Sequence, residues 1–245
     1  MKNSIKYILQ TFLGYSSYLY IFSIFKIFTL KFDTKERDFF HFLSLIKPGK
    51  GDVLDLGANI GIMSYHLAKE NSQIKIHAVE PVISNFKVLS KIKKRFNLTN
   101  VLLYQLALGT EVKKVEMVLP FDGKTKMQGL SHVIDDSITE WNQGDRFEVQ
   151  MSTVDTLFNT YQIQGIKLDV ENFEYFVLKG GESLIKKNRP IIYTELWENE
   201  NREKCFSFLE ELGYSAFVIE KGNMLAYKDA KIPHQNFIFS TKFDN

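Results

Sequence analysis

Acidic residues close four apolar runs in this chain, each where a strand would hand over to a turn: Asp55, Glu80, Asp169 with Glu171 just behind it, and Glu195. A lone acid at a strand end is ordinarily a helix cap or a surface charge. Four at corresponding positions fit one shared site, because a parallel sheet binds its ligands at the carboxyl ends of its strands. The first acid opens the stretch Asp55-Leu56-Gly57-Ala58-Asn59-Ile60-Gly61, which reads as a strand end, a tight turn and a helix start. Such a turn offers backbone N–H groups and a helix dipole to a ligand. Its glycines are spaced G-x-x-x-G, not G-x-G-x-x-G, and no G-x-x-x-x-G-K-[ST] loop occurs, so the pattern favours a nucleoside without a diphosphate. Glu80-Pro81 closes the next apolar run, where a carboxylate can take two ribose hydroxyls.

Elements that would position these acids follow in order. Strands are expected at residues 53–56, 74–79, 101–106, 165–171 and 190–196, with helices at 62–69, 82–96, 174–187 (divided by Gly180-Gly181) and 200–212 between them. Gly213 is the C-terminal glycine of the last helix. Further strands are expected at 112–119, 147–151, 214–219 and 236–240. Alternating strands and helices give an α/β class: a Rossmann-like, doubly wound, mainly parallel seven-stranded sheet with an antiparallel last strand. Residues 120–146 break periodicity and are expected to form a substrate-facing loop or lid.

The first thirty residues differ from the rest. Between Lys6 and Lys26 there is no charge, and Tyr, Phe, Ile and Leu dominate. Polar interruptions and the lack of a small-residue cleavage site argue against a signal peptide. Three arrangements remain for residues 3–30: a helix packed on the domain or on a dimer partner, a membrane-surface helix, and a true span, with the first favoured. Asp33 or Thr34 would cap a second helix that stops at Lys47-Pro48-Gly49. The expected division is an N-terminal helical appendage at 1–48 and the α/β domain at 49–245.

Composition narrows the function classes. With 44% apolar and 14% aromatic residues the chain is globular. Its one cysteine, Cys205, sits in an apolar helical pattern as a buried thiol, rules out an intrachain disulfide and a cysteine-built zinc site, and suits the cytoplasm. A formal net charge of +2 gives no broad electrostatic footprint for nucleic acid, and the basic end of the 82–96 helix reads as a solvated face.

The turn at Asp55–Gly61 and Glu80-Pro81 resembles the first two motifs of class I S-adenosylmethionine-dependent methyltransferases. Ile166-Lys167-Leu168-Asp169-Val170-Glu171-Asn172-Phe173-Glu174, running on to Gly180-Gly181 and then to Glu195, resembles the signature of the FkbM methyltransferases, K-x-D-x-E-G-x-E-x-x-x-L-x-G with a later strand ending in Glu. Ala107-Leu108-Gly109 and Val154-Asp155-Thr156-Leu157 match further elements of that pattern, in order. The resemblance implies S-adenosylmethionine as cofactor, with Asp55, Gly57, Ala58, Asn59 and Gly61 at its methionine side, Glu80 and Pro81 at the ribose, and Gln105 to Leu108 (Ala107 included) near the adenine. It implies that Asp169, Glu171 and Glu195 face the methyl acceptor, which in this family is mostly a hydroxyl, often on a sugar, glycan or glycolipid.

A hydroxyl acceptor needs a base, and Asp169 is the first candidate, Glu171 or Glu195 the second, and His132 in the irregular stretch a weaker one. The same carboxylates suit Mg²⁺ or Ca²⁺, and the sequence leaves a metal open. The expected function is therefore O-methylation of a sugar or glycan precursor, in the cytoplasm or at a membrane surface. The alternatives are another small molecule, RNA or protein as acceptor, or a non-catalytic cofactor- or partner-binding domain. The chain departs from the signature at Asn172, where the family has glycine, and at Phe173. Asn is the best non-glycine residue for a left-handed backbone, so the turn is expected to survive with a reshaped acceptor pocket.

Overall fold

The computed structural model describes residues 2–241; Met1 and residues 242–245, the outer ends of the two segments expected from the sequence, lie outside the described residues. The chain opens with helices α1 (Lys2–Leu13), α2 (Tyr15–Thr29) and α3 (Arg37–Leu45). Strand β1 (Asp52–Leu56), α4 (Ile62–Glu70), β2 (Ile76–Val79), α5 (Ile83–Arg95) and β3 (Val101–Tyr104) follow. Next come β4 (Ala107–Leu108), β5 (Lys113–Asp122), β6 (Thr125–Lys126), β7 (His132–Val133) and β8 (Gly144–Ser152). The last part holds α6 (Val154–Phe158), β9 (Ile163–Leu168), α7 (Glu174–Lys179), α8 (Glu182–Asn188), β10 (Ile191–Glu195), α9 (Glu200–Glu211), β11 (Ser215–Glu220), β12 (Asn223–Ala226) and β13 (Asn236–Ser240).

Eight strands form the central sheet, in the order β12-β11-β13-β10-β9-β1-β2-β3. The pairs β10–β9, β9–β1, β1–β2 and β2–β3 are parallel, and β13 runs antiparallel to both β10 and β11. This is the doubly wound α/β sheet expected from the sequence, with β12 added at one edge. β12 arises because Lys221 and Gly222 both have positive φ (53° and 83°), the geometry of a two-residue hairpin turn, and so fold the chain back onto β11.

The two faces of the sheet are covered differently. Val53, Ile76, Ala78 and Tyr193 point to the side where α3, α4 and α5 bring Phe39, Phe42, Leu67 and Leu89. Leu54, Leu56, Ile166, Leu168 and Ile192 point to the side of α6 to α9, with Phe158, Val177, Leu184 and the buried Cys205. Helix α3 thus shares the core of the sheet. A Cβ at Gly165 would lie 2.5 Å from the Ile46 side chain that follows α3, so the missing side chain lets α3 approach.

Residues 107–152 form a second sheet, in the order β4-β8-β5-β6 with β7 on β5. The stretch expected to be an irregular loop or lid, residues 120–146, is strand at its two ends and in two short pieces, β6 and β7, and irregular between them. β5 and β8 pair in register from Lys113↔Met151 to Pro120↔Gly144. The chain also leaves the central sheet earlier than expected, after Tyr104, and Ala107–Leu108 already belongs to the second sheet.

Helix α2 lies on the domain, burying Tyr18, Leu19 and Ile27 against Ile60, Val88 and Ile92, with the Ser23 hydroxyl donating to Ile60 O at 2.9 Å. Helix α1 is bent away from α2 by 120°. Its Gln10 side chain clasps the backbone of Lys126 in β6, donating to O at 3.1 Å and accepting from N at 3.2 Å. Among the described residues no single helix is long and apolar enough to cross a membrane; only the bent α1–α2 pair passes such a test by length and composition.

Candidate functional site

The turn after β1 is built around a steric demand. Gly57 has φ 80°, and a Cβ there would stand 1.8 Å from Asp169 O, at the end of β9. The two strand ends are also tied by Asp169 N donating to Leu56 O at 3.0 Å. Four of the turn's N–H groups, expected to face a ligand, are spent within the protein. Gly57 N and Ala58 N donate to Val79 O, Gly61 N to Ala58 O, and Asn59 N to Glu80 Oε2 at 2.8 Å. The turn therefore contributes shape and the side chain of Asn59, whose φ of 50° is left-handed.

Glu80 is 3% exposed and fixes this turn to the start of α5. Its other oxygen accepts from Val82 N at 2.9 Å and Asn85 Nδ2 at 3.3 Å. Burial pushes the Glu80 carboxyl up to about 7, against the opposing pull of the Val82 and Asn59 N–H groups. Behind the turn, Lys167 is 3% exposed, donates to Gly57 O at 2.7 Å, and lies 3.4 Å from Asp55 and 3.5 Å from Asp169. Burial works against its charge, but Asp169 and Asp55 outweigh burial and hold the ammonium above its usual range.

A cavity opens beside the turn. Gly57, Asn59, Glu80, Pro81 and Ala107 line it, together with Asp169 and Glu171. Asp55 does not. It is fully buried, takes a hydrogen bond from the Ser64 hydroxyl and pairs with Lys167, so it holds the turn from behind. Ala58 packs in the core, and a Cβ at Gly61 would meet the Leu89 side chain at 2.7 Å. Gln105 also misses the cavity: it is exposed at the crossover between the two sheets, and Leu106 and Leu108 take the wall position.

Four lining residues carry buried polar atoms with no hydrogen-bond partner: Asn59 Oδ1, Asn85 Oδ1, Gln128 Oε1 and Ser131 Oγ. Buried polar atoms are normally paired, so this ring of acceptors marks a place for a ligand that donates hydrogen bonds. The amino and hydroxyl groups of an adenosine-type cofactor fit it. Gln128 and Ser131 come from the stretch between β6 and β7 and line the cavity. His132 does not join them. It is 3% exposed in β7, with Nδ1 2.8 Å from Leu130 O and Nε2 3.1 Å from Asn142 Oδ1, so both ring nitrogens are committed elsewhere.

Asp169 also lines a second space, an open cleft of about 1640 Å³ that it shares with Glu195, Tyr193, Arg202 and His234. Glu36 and Asp38 reach the same cleft from the turn and helix before β1. Burial, Asp169 and Glu36 raise the Glu195 carboxyl to about 7. Burial likewise raises Glu36, and raises Asp38 to about 6. Glu171 lines the cavity rather than the cleft. Burial and the nearby Asp169, Glu174 and Glu195 push its carboxyl well above the usual range, so it suits holding a proton, not removing one.

The turn after β9 joins positions that the sequence singled out to one, Glu174, that it left without a role. Glu171 and Asn172 are both left-handed, with φ 56° and 69°, the backbone geometry expected at Asn172. Glu174 is 3% exposed, accepts from Val170 N at 2.9 Å, and is raised by burial to about 8. Phe173 stacks on Phe176 at 4.4 Å and closes one side of the cavity. Lys167 was legible in principle, since it stands two residues before Asp169 and so on the same strand face. Asn85, Gln128, Glu36 and Asp38 gave no local signal. Among the described residues no group of three or more His, Cys, Asp or Glu side chains is arranged to hold a metal ion.

Comparison with known proteins supplies the remaining finding. The family profile described as the methyltransferase FkbM domain matches residues 55–216. Among solved structures, the chain is similar to the methyltransferase FkbM from Methylobacillus flagellatus KT, with 14% identity, 80% of this chain and 45% of that one covered, and a TM-score of 0.55. The chain thus spans less than half the length of that protein, and the likeness shows the fold alone. A weaker likeness, TM-score 0.46 at 14% identity over 89% of this chain and 69% of the other, is to an S-adenosylmethionine-dependent O-methyltransferase from Thermotoga maritima. No curated protein matches the sequence.

Proposed function

This chain belongs to the FkbM family of methyltransferases, and on that premise we propose that it methylates a hydroxyl of a sugar, glycan or glycolipid precursor in the cytoplasm, using S-adenosylmethionine. The observation that carries the reading is the position of Asp169, which is a wall of both the cavity beside the turn and the open cleft. A group held in the cavity and a second molecule held in the cleft meet at that side chain.

Bound S-adenosylmethionine supplies a methyl group already activated on a sulfonium. The chain's own task is then to bind, align and deprotonate. Asn59, Asn85, Gln128 and Ser131 would accept hydrogen bonds from the cofactor's amino and hydroxyl groups, with Glu80 beside them for the ribose. Gly57, by lacking a side chain, brings the floor of the cavity against the end of β9, which sets the distance between the two ligands. Such alignment supplies much of the rate of a displacement reaction.

On the cleft side, ionised carboxylates are acceptors only, so Asp169 and Glu195 suit a molecule rich in hydroxyl donors. Asp169 is the base for the attacking hydroxyl, with Lys167 holding its carboxylate in place at 3.5 Å. Glu195 accepts from a neighbouring hydroxyl and must be ionised to do so.

The test is incubation with S-adenosylmethionine and a panel of neutral and amino glycosides, with the new methyl group located by mass spectrometry and NMR. Transfer to oxygen is expected. Transfer only to nitrogen, or none alongside measurable cofactor binding by calorimetry, removes the hydroxyl assignment. Absence of cofactor binding removes the enzyme reading altogether.

A further inference from the structure

Helix α2 has two faces of opposite fate. Its inner face is fully used on the domain, with Leu19 and Ser23 at 0% exposure. Its outer stripe continues past the helix end as Ile21, Phe25, Phe28 and Phe32, exposed by 52, 60, 58 and 74%. At about 100° per residue these four positions fall within one narrow arc. On α1, Ile8 and Phe12 are one turn apart and exposed by 51 and 85%. Large aromatic side chains gathered in this way on a surface mark a place that is covered by something.

Beside this stripe runs a basic one. Helix α5 packs along α2, with Lys91 Nζ 5.9 Å from the centre of the Tyr20 ring and Phe28 edge-on to Phe96 at 6.1 Å. The outward positions of α5 are Lys87, Lys91, Lys94 and Arg95, all exposed. Among the described residues none of the four is paired with an acid. Lys31 adds a further cation 5.1 Å from the Phe32 ring.

We propose that this face rests on an anionic phospholipid leaflet, with the α2 phenylalanines at the acyl boundary and the α5 cations on the headgroups. Aromatic rings flanked by lysines are the chemistry of a helix lying in the interface plane. A span is not available to α2, because its inner stripe would have to leave Ile60, Val88 and Ile92. A second copy of the chain is the poorer occupant, because it would bring its own unpaired cations to the same border, whereas an anionic leaflet brings the opposite charge. The inference is independent of the reaction assigned above.

Flotation of the full chain with vesicles tests it, using phosphatidylcholine alone and phosphatidylcholine mixed with phosphatidylglycerol. The chain is expected to float with the mixed vesicles only, and to be released by salt as the screening length falls from about 10 Å at 0.1 M to about 3 Å at 1 M. Lys87→Gln/Lys91→Gln/Lys94→Gln/Arg95→Gln should lower partitioning at least tenfold, since each cation near the surface is worth about fivefold. Phe25→Ser/Phe32→Ser should abolish flotation while circular dichroism and cofactor binding stay unchanged, because both side chains lie outside the core. Failure to float with mixed vesicles overturns the proposal. So does equal binding to neutral vesicles, or a dimer in sedimentation velocity that Phe25→Ser/Phe32→Ser breaks while vesicles are ignored.

Discussion

The cavity and the cleft share Asp169 but are made in different ways. Every residue lining the cavity lies between Gly57 and Phe173, inside the span matched by the family profile. The cleft draws Thr34, Lys35, Glu36 and Asp38 from before that span, and Ile232 to Asn236 from after it. The cavity is bounded largely by apolar side chains, with three amides and three carboxylates among them, the cleft by charges of both signs. On the proposed function, the cofactor's cavity lies wholly inside the span that the family profile matches, whereas the acceptor's cleft also draws on short segments outside it.

The sharpest way to break this contrast is to damage the seam. In Gly57→Ala the new methyl group would collide with Asp169 O, where nothing flexible can yield, and the left-handed φ adds strain. Cofactor binding and activity should both disappear, read by calorimetry and by methyl transfer. Asp169→Asn should separate the two spaces. Loss of a general base costs about 10²–10⁴-fold in kcat, while the dissociation constant for the cofactor should change little.

Glu195→Gln is expected to act through pH. A carboxyl raised to about 7 must lose its proton to accept from the acceptor, so wild-type kcat/KM should fall as pH drops through 7. That limb should vanish in Glu195→Gln. In Asp169→Asn it should move to lower pH, because Asp169 is one of the charges that raise Glu195. The smallest effect belongs to Glu36→Gln, which should alter the KM for the acceptor several-fold, on the order of one ordinary hydrogen bond, about 1 kcal/mol, with kcat and cofactor affinity retained.

The strand-end acids were readable because a strand, a turn and a helix leave a local record. Asp55, Glu80, Asp169 and Glu195 all lie at carboxyl ends of the central sheet or just beyond them, as their spacing requires. The N-cap at Asp33, which accepts from Lys35 N at 3.2 Å, and the C-terminal Gly213 with φ 78° were local as well. What escaped was long-range. β5 and β8 support each other across some thirty residues of sequence, and Pro120 with Asp122-Gly123 hid the end of β5 behind turn chemistry. The same crossover that created the second sheet took Gln105 off the cavity wall. Roles inside the site escaped for a related reason. Nothing local distinguishes Asp55, which supports the turn from behind, from Glu80, which reaches the cavity, or tells that His132 would be buried between Leu130 and Asn142.

The turn Thr34–Glu36 has a consequence for anyone rebuilding this scaffold. It is largely exposed, begins at a capping aspartate anchored to Lys26 at 2.9 Å, and contributes to the cleft without belonging to any strand. Exposed turns of this kind tolerate exchange and insertion. It is therefore a natural graft point: a cassette of a few residues whose replacement would retool selectivity while the sheet, the cofactor floor and the glycine seam are left untouched.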